Sequence, residues 1–188
     1  MSRLEICILA GGLSTRMGRD KARMRLAGKT LLGHVREVAR QTKYPVRVIR
    51  HDLVKRCGPL GGIYTGLRTT ATERVLFLAC DMPFVTAELI ENLIDIPAAK
   101  DGAIFTRGEG GGKCGFPFIL PRVLLPEIER QLKEQNHSLQ RLAMRCQAEI
   151  FEVPGGAPVL FNVNTPSDWE WARQWLVKVG PVHAWTGA

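Results

Sequence analysis

The stretch Leu9–Ala22, LAGGLSTRMGRDKA, follows directly on the first apolar run of the chain, Leu4 to Leu9. An apolar, β-branched run that meets two glycines at once reads as a buried strand turning sharply into a loop. Gly11 and Gly12 let the backbone come close to a ligand and present a row of N–H donors, a concavity that suits phosphate oxygens. Arg16 and Lys21 add a planar fork of donors and a mobile point charge to the same loop. Together, Leu9, Ala10, Gly11, Gly12, Arg16 and Lys21 describe a polyphosphate site. A Walker loop is excluded, because Gly18 is followed by Arg19 and Asp20, and Gly11-Gly12-Leu13 breaks the dinucleotide fingerprint. An ordinary glycine turn with two solvated cations accounts for the same residues.

Outward from this loop the pattern alternates strand and helix, which predicts a three-layer α/β fold with a mainly parallel sheet. Thr30, Thr86, Ser138 and Thr165 stand as helix caps ahead of apolar positions at helical spacing. Pro166 and Asp168 strengthen the last start signal, and Trp169, Ala172, Trp175 and Leu176 supply that helix's buried face. Val46–Ile49 reads as a short strand. Val75–Cys80 is a continuous apolar run typical of a central parallel strand. Gly58–Gly62, GPLGG, breaks the chain before a helix carrying Ile63, Gly66 and Leu67. Phe116–Leu120 contains Pro117, which predicts a strand at an edge or a bulge. Glu149–Val153 and Val159–Phe161 read as further strands. Residues 1–188 read as a single domain, and the patternless tail 180–188 is a candidate for disorder.

Composition narrows the function classes. With 188 residues and 45% apolar content the chain can bury a substantial core, and no segment has the apolar length of a transmembrane helix. The five cysteines are odd in number and widely spaced, with no C-x-x-C pair, which suits free thiols in a reducing cytoplasm. The net charge of +8 fits a protein that handles anionic small molecules. The arginines are scattered and lack interleaved aromatics, so neither nucleic acid nor a membrane is an expected partner.

Three further places carry chemistry. Asp81 stands where a buried strand leaves the sheet at its carboxyl end, a position suited to holding Mg²⁺; a plain turn residue is the alternative. Asp52 can accept from a base or ribose donor, or be an exposed loop acid. Asn162 and Asn164, just ahead of a helix N-terminus, can orient phosphates or complete a metal site, whereas capping explains only Thr165.

The string LAGG-x-S-x-RMG-x-DK resembles the signature loop of nucleotidyltransferases of the molybdenum cofactor guanylyltransferase (MobA) type. Cys80-Asp81-Met82-Pro83 is similar to the strand-end C-D-x-P of that family, GPLGG to its nucleotide-closing stretch, and Asn162–Pro166 to its N-x-N-T-P. The resemblance implies a Rossmann-like nucleotidyltransferase fold and transfer of GMP from GTP to the phosphate of molybdopterin, with Mg²⁺ on Asp81. It implies Arg16, Lys21 and Asp81 as catalytic residues, and Leu9, Ala10, Gly11, Gly12, Lys21, Asp52 and Asp81 as nucleotide-binding ones. It also implies acceptor or metal support from Asn162 and Asn164, and transient contact with molybdopterin-delivering or molybdoenzyme proteins. One departure stands out: between the first helix and GPLGG there is room for a single strand, where the family has a strand-helix-strand passage that contributes to base recognition. Cytidylyl transfer, another small-molecule nucleotidyl transfer, or a non-catalytic nucleotide-binding relative are the alternatives.

Overall fold

In the computed structural model, which describes residues 3–11, 24–97, 102–155 and 158–179, strand and helix alternate as the apolar pattern predicts. The elements are β1 (Leu4–Leu9), β2 (Arg25–Leu26), β3 (Lys29–Thr30), α1 (Leu31–Gln41), β4 (Val46–Ile49), α2 (Pro59–Thr69), β5 (Arg74–Ala79) and α3 (Ala87–Asp95). They continue with β6 (Ile104–Gly108), β7 (Gly115–Pro121), α4 (Leu125–Lys133), α5 (Leu139–Arg145), β8 (Glu149–Val153) and α6 (Pro166–Val179). One six-stranded sheet runs in the order β4-β1-β5-β7-β6-β8, and β2 pairs with β3 in a small hairpin. β7 is antiparallel to both its neighbours, and the other contacts in the large sheet are parallel. The carboxyl ends of β4, β1, β5, β6 and β8 therefore share one edge.

The period-two alternation of the strands sorts the core into two layers. Ile6, Ile8, Leu76 and Leu78 face α1 and α3, where they meet Val35, Val38, Ile90 and Leu93. Cys7, Val75, Phe77 and Phe118 face α2, α4 and α5, against Leu60, Ile63, Ile128 and Leu142. Phe118 stacks on Phe105 with ring centroids 4.5 Å apart and leans on Phe77 at 5.3 Å. A third cluster joins Leu26, Leu31 and Phe84 to Val163 and Ala172, and so seats α6 against the β2–β3 hairpin. The helix starts follow their caps: the hydroxyls of Thr30, Thr86 and Ser138 accept from the N–H groups of Gly33, Leu89 and Arg141. At α6 the capping is reciprocal, since the Asp168 N–H donates to Thr165 Oγ1 (3.1 Å) while Asp168 Oδ2 accepts from the Thr165 N–H (2.7 Å).

Two local expectations need correction, and a third resolves to one of its alternatives. Of the edge or bulge expected at Pro117 the structure has the bulge, because β7 is enclosed by β5 and β6. Phe105 faces Phe118 while Thr106 faces Gly115, so Phe116 and Pro117 form a bulge and the N–H that proline lacks falls outside the ladder. Val159–Phe161 is a turn, not a strand: the Phe161 N–H closes on the Pro158 carbonyl at 2.8 Å. Of the GPLGG glycines only Gly58 precedes the helix, as its N-cap; Gly61 and Gly62 lie in its first turn, for reasons that belong to the site. The single strand β4 is the only strand between α1 and α2, as the shortened sequence predicts, and it ends the sheet. Arg47 pins it there, donating to Glu5 Oε1 (2.6 Å) and the Gly66 carbonyl (3.0 Å).

Candidate active site

β1 and β5 are parallel neighbours, and their last paired residues are Leu9 and Ala79. The Cys80 N–H donates to the Leu9 carbonyl at 3.0 Å, which carries the pairing one step further. Gly11 and Asp81 each stand two residues past that pair, so the glycine turn and the strand-end carboxylate leave the sheet side by side. This is the edge at which open α/β sheets bind ligands.

Around Gly11 the structure gathers residues that sequence reasoning named separately. A methyl group added to Gly11 would lie 3.0 Å from the Arg50 carbonyl oxygen and 3.3 Å from Asp52 Oδ1. One on Gly61 would lie 2.9 Å from the Val54 carbonyl oxygen and 3.0 Å from Asp52 Oδ2; one on Gly62 would press on Leu9 Cδ1 at 3.1 Å. The three glycines are therefore steric requirements: they allow the Asp52 carboxylate to sit against both the β1 turn and the first turn of α2. That is why GPLGG enters a helix despite the poor helix propensity of glycine. Gly58, at φ 54°, turns the chain into it and Pro59 opens the helix. Burial pushes the Asp52 carboxyl above the ordinary carboxylate range, and the neighbouring His51 opposes this.

Thr65, which sequence reasoning missed, fastens the loop. Its Oγ1 accepts from the Leu53 N–H (2.9 Å) and donates to the Gly61 carbonyl (2.8 Å). A threonine four residues after a carbonyl it can reach on the same helix is the signal that was there to be read. Leu9 is buried and serves as a wall, with its carbonyl taken by Cys80. The Ala10 N–H donates to the Ile49 carbonyl at 2.8 Å, so of the described turn residues it is not Ala10 that can offer an N–H to a ligand.

Asp81 is half-buried, and its backbone carbonyl accepts from the Val163 N–H at 2.9 Å. That bond docks the Asn162–Pro166 segment against the end of β5. Val163 is fully buried, and Asn162 and Asn164, on either side of it, are half-buried. The segment is irregular rather than a strand end, because its backbone is committed to capping α6: the Asn164 N–H donates to Asp168 Oδ2 at 2.8 Å. The Asn162 amide nitrogen donates to the Leu160 carbonyl (2.9 Å), which leaves its carbonyl oxygen as the group it can present. The side chains of Asp81, Asn162 and Asn164 carry oxygen donors of the kind a small divalent cation selects. Among the described residues no three His, Cys, Asp or Glu side chains cluster in a way that could hold a metal. A lone carboxylate at this edge suits a cation that takes one protein carboxylate and completes its shell with substrate phosphates and water. Gly12, Arg16 and Lys21 lie outside the described residues.

A mostly parallel α/β sheet with a glycine-lined turn and an acid at the ends of adjacent strands is the architecture of an α/β protein whose ligand edge lies at the strand ends. Solved structures share this fold: molybdopterin-guanine dinucleotide biosynthesis protein A of Archaeoglobus fulgidus superposes with a TM-score of 0.70 at 21% identity, over 93% of this chain and 99% of that one. A Mycobacterium tuberculosis protein crystallised with manganese does so with a TM-score of 0.65 at 19% identity, over 92% and 98%. In sequence, the molybdenum cofactor guanylyltransferase of Pseudomonas putida is 32% identical over 185 residues, covering 86% of this chain and 93% of its own length. A family profile described as MobA-like NTP transferase domain matches residues 6–149, and the chain belongs to that family of nucleotidyltransferases.

Proposed function

We propose that the chain transfers GMP from GTP to the phosphate of molybdopterin, with release of pyrophosphate, in the making of molybdopterin guanine dinucleotide. The observation that carries this reading is the convergence of Gly11, Asp52, Gly61 and Gly62 on one side of the β1 turn, with Asp81 at the end of the next strand. In this reading a phosphate oxygen of the acceptor attacks the α-phosphorus of GTP in line. A new P–O bond forms as the bond to the bridging oxygen breaks, and the electron pair leaves on pyrophosphate. The protein positions the two substrates and stabilises charge. Leu9, Ala10, Gly11 and Gly12 wall the nucleotide, and Asp52 accepts from its base or ribose. Arg16 and Lys21 neutralise the phosphates, and Asn162 and Asn164 support the acceptor or the metal.

Asp81 would hold the divalent ion, Mg²⁺ in this reading, which supplies charge neutralisation across the triphosphate. The manganese in the Mycobacterium tuberculosis relative supports a hard divalent cation in such a fold. Residues 1–188 act as one nucleotidyltransferase unit in this proposal. Among the described residues no helix is long and apolar enough to cross a membrane. The five cysteines are free thiols, which supports a cytoplasmic setting in this reading. Transient contacts with proteins that deliver molybdopterin or receive the product belong to the same reading.

The test is pyrophosphate release with GTP, Mg²⁺ and molybdopterin. Lys21→Ala and Asp81→Ala should each lower kcat about 10²- to 10³-fold, the effect of losing one charge-stabilising contact, with the folded state retained by circular dichroism. Wild-type turnover in either variant overturns that residue's role. A preference for CTP over GTP overturns the base assignment.

A further inference from the structure

The large sheet ends at β4, and among the described residues no further strand pairs with its outer side. Its inner side is committed: Pro45 and Ile49 give their carbonyls to the Ile6 and Ala10 N–H groups, each at 2.8 Å. A parallel ladder uses every second residue of a strand. The N–H and C=O groups of Val46 and Val48 therefore point away from β1. The side chains show the same incompleteness. Tyr44, Val46 and Val48 pack against the core layer that α1 covers, yet all three are only half-buried. An edge of this kind is a template for one more strand.

Positive charge brackets the template. Lys43 precedes β4 and Arg50 follows it; both are exposed, and neither is paired with a carboxylate among the described residues. Arg47, between them, is spent inward on Glu5 and the Gly66 carbonyl. Extended chain sets Lys43 and Arg50 roughly 23 Å apart, the reach of a short strand. No Asp or Glu lies between Glu37 and Asp52 in the sequence. A second copy would set this acid-free segment against itself, like charge on like, which disfavours pairing of β4 with its own image. A phosphate-rich surface would meet the cations but leave the backbone groups of Val46 and Val48 unanswered. An extended acidic peptide answers both.

We infer that the outer edge of β4 is a docking site for an extended acidic segment of a partner protein, which adds a strand to the sheet. Its alternate apolar side chains cover Tyr44, Val46 and Val48, and acids at its two ends meet Lys43 and Arg50. Main-chain hydrogen bonds supply the affinity, and the ion pairs select the partner. This surface follows from strand order and charge alone, so it stands or falls independently of the guanylyl-transfer reading.

Fluorescence anisotropy of the full chain with labelled peptides tests the edge. One peptide has a core of alternating valine and threonine with two glutamates at each end; the other carries lysines in their place. The acidic peptide should bind about tenfold tighter than the basic one. Lys43→Glu and Arg50→Glu should each weaken it about fivefold, the upper worth of an exposed ion pair. Val48→Pro removes an N–H that takes no part in the β1 ladder, so the fold tolerates it while acidic-peptide binding should fall about tenfold. Without any change to the protein, N-methylating the acidic peptide at its valines or at its threonines should cost about tenfold in one of the two cases, because only alternate residues face the strand. An acidic peptide that fails to bind, or binds no better than the basic one, overturns the inference. Binding indifferent to Val48→Pro and to both N-methylations does so too. A concentration-dependent dimer in sedimentation that Val48→Pro abolishes also overturns it, since the edge would then belong to a second copy.

Discussion

Asp52 sits in a conflict between folding and binding. The fold favours its protonated form, because burial against Gly61 and Gly62 removes water from the carboxylate. A carboxyl whose folded pKa is raised contributes stability below its ordinary titration range. That contribution is lost as pH rises through the folded pKa, so at neutral pH the ionised group is a net cost. Asp52→Asn should therefore raise the melting temperature at pH 7, and the difference from wild type should vanish near pH 3, below the ordinary range. The same variant should weaken GTP binding about 10- to 100-fold, the worth of hydrogen bonds to a charged group. Parallel thermal melts at both pH values and a binding titration check both halves. A lower melting temperature at pH 7 refutes the burial argument. The acid itself was legible in the sequence; that three glycines exist to make room for it was not, since steric contact between residues 11, 52 and 61 is set by the fold.

Among the helices, α2 is the element the site depends on most. It approaches the sheet so closely that a methyl group on Gly66 would lie 2.6 Å from Phe77 Cε1, and that ring is itself held by Phe118. Gly66→Ala gains helix propensity of about 0.5–1 kcal/mol but should lose about 1–3 kcal/mol to overpacking. The expected net result is destabilisation in chemical denaturation, with weakened nucleotide binding because α2 carries Gly61 and Gly62. Gly115→Ala, where nothing lies within 4 Å, is the control and should stay within about 0.5 kcal/mol of wild type. Helix starts were legible at Thr30, Thr86, Ser138 and Thr165 because a cap bonds N–H groups only two or three residues away. The bulge at Pro117 was legible as one of two alternatives, but the place of β7 between β5 and β6 was not, since strand order is set by pairing partners far away in the chain. Nor was the turn at 159–161, where an apolar triplet closes on the Pro158 carbonyl instead of pairing with a strand.

Across the whole molecule, the excess of eight positive charges should draw in a triphosphate from beyond contact distance. Raising salt from about 0.1 M to about 1 M shortens the screening length from about 10 Å to about 3 Å. The KM for GTP should then rise about tenfold with little change in kcat, whereas an unchanged KM would mean that the charge is only a solvated surface. The layer architecture and the edge that carries the site were legible from alternation and strand-end residues alone. The open edge at β4 was not, because a short apolar run looks the same whether its strand is enclosed or last in the sheet. The reversed strand β7 stands between β5, which ends at Asp81, and β6, which ends beside Glu109. Two spacings of backbone pairing, roughly 10 Å in all, separate β5 from β6. The gap between the two strand ends is thus a ruler graduated in hydrogen bonds, which no loop mutation can stretch. A shorter or longer ligand laid along it would have to be met by different side chains at its two ends.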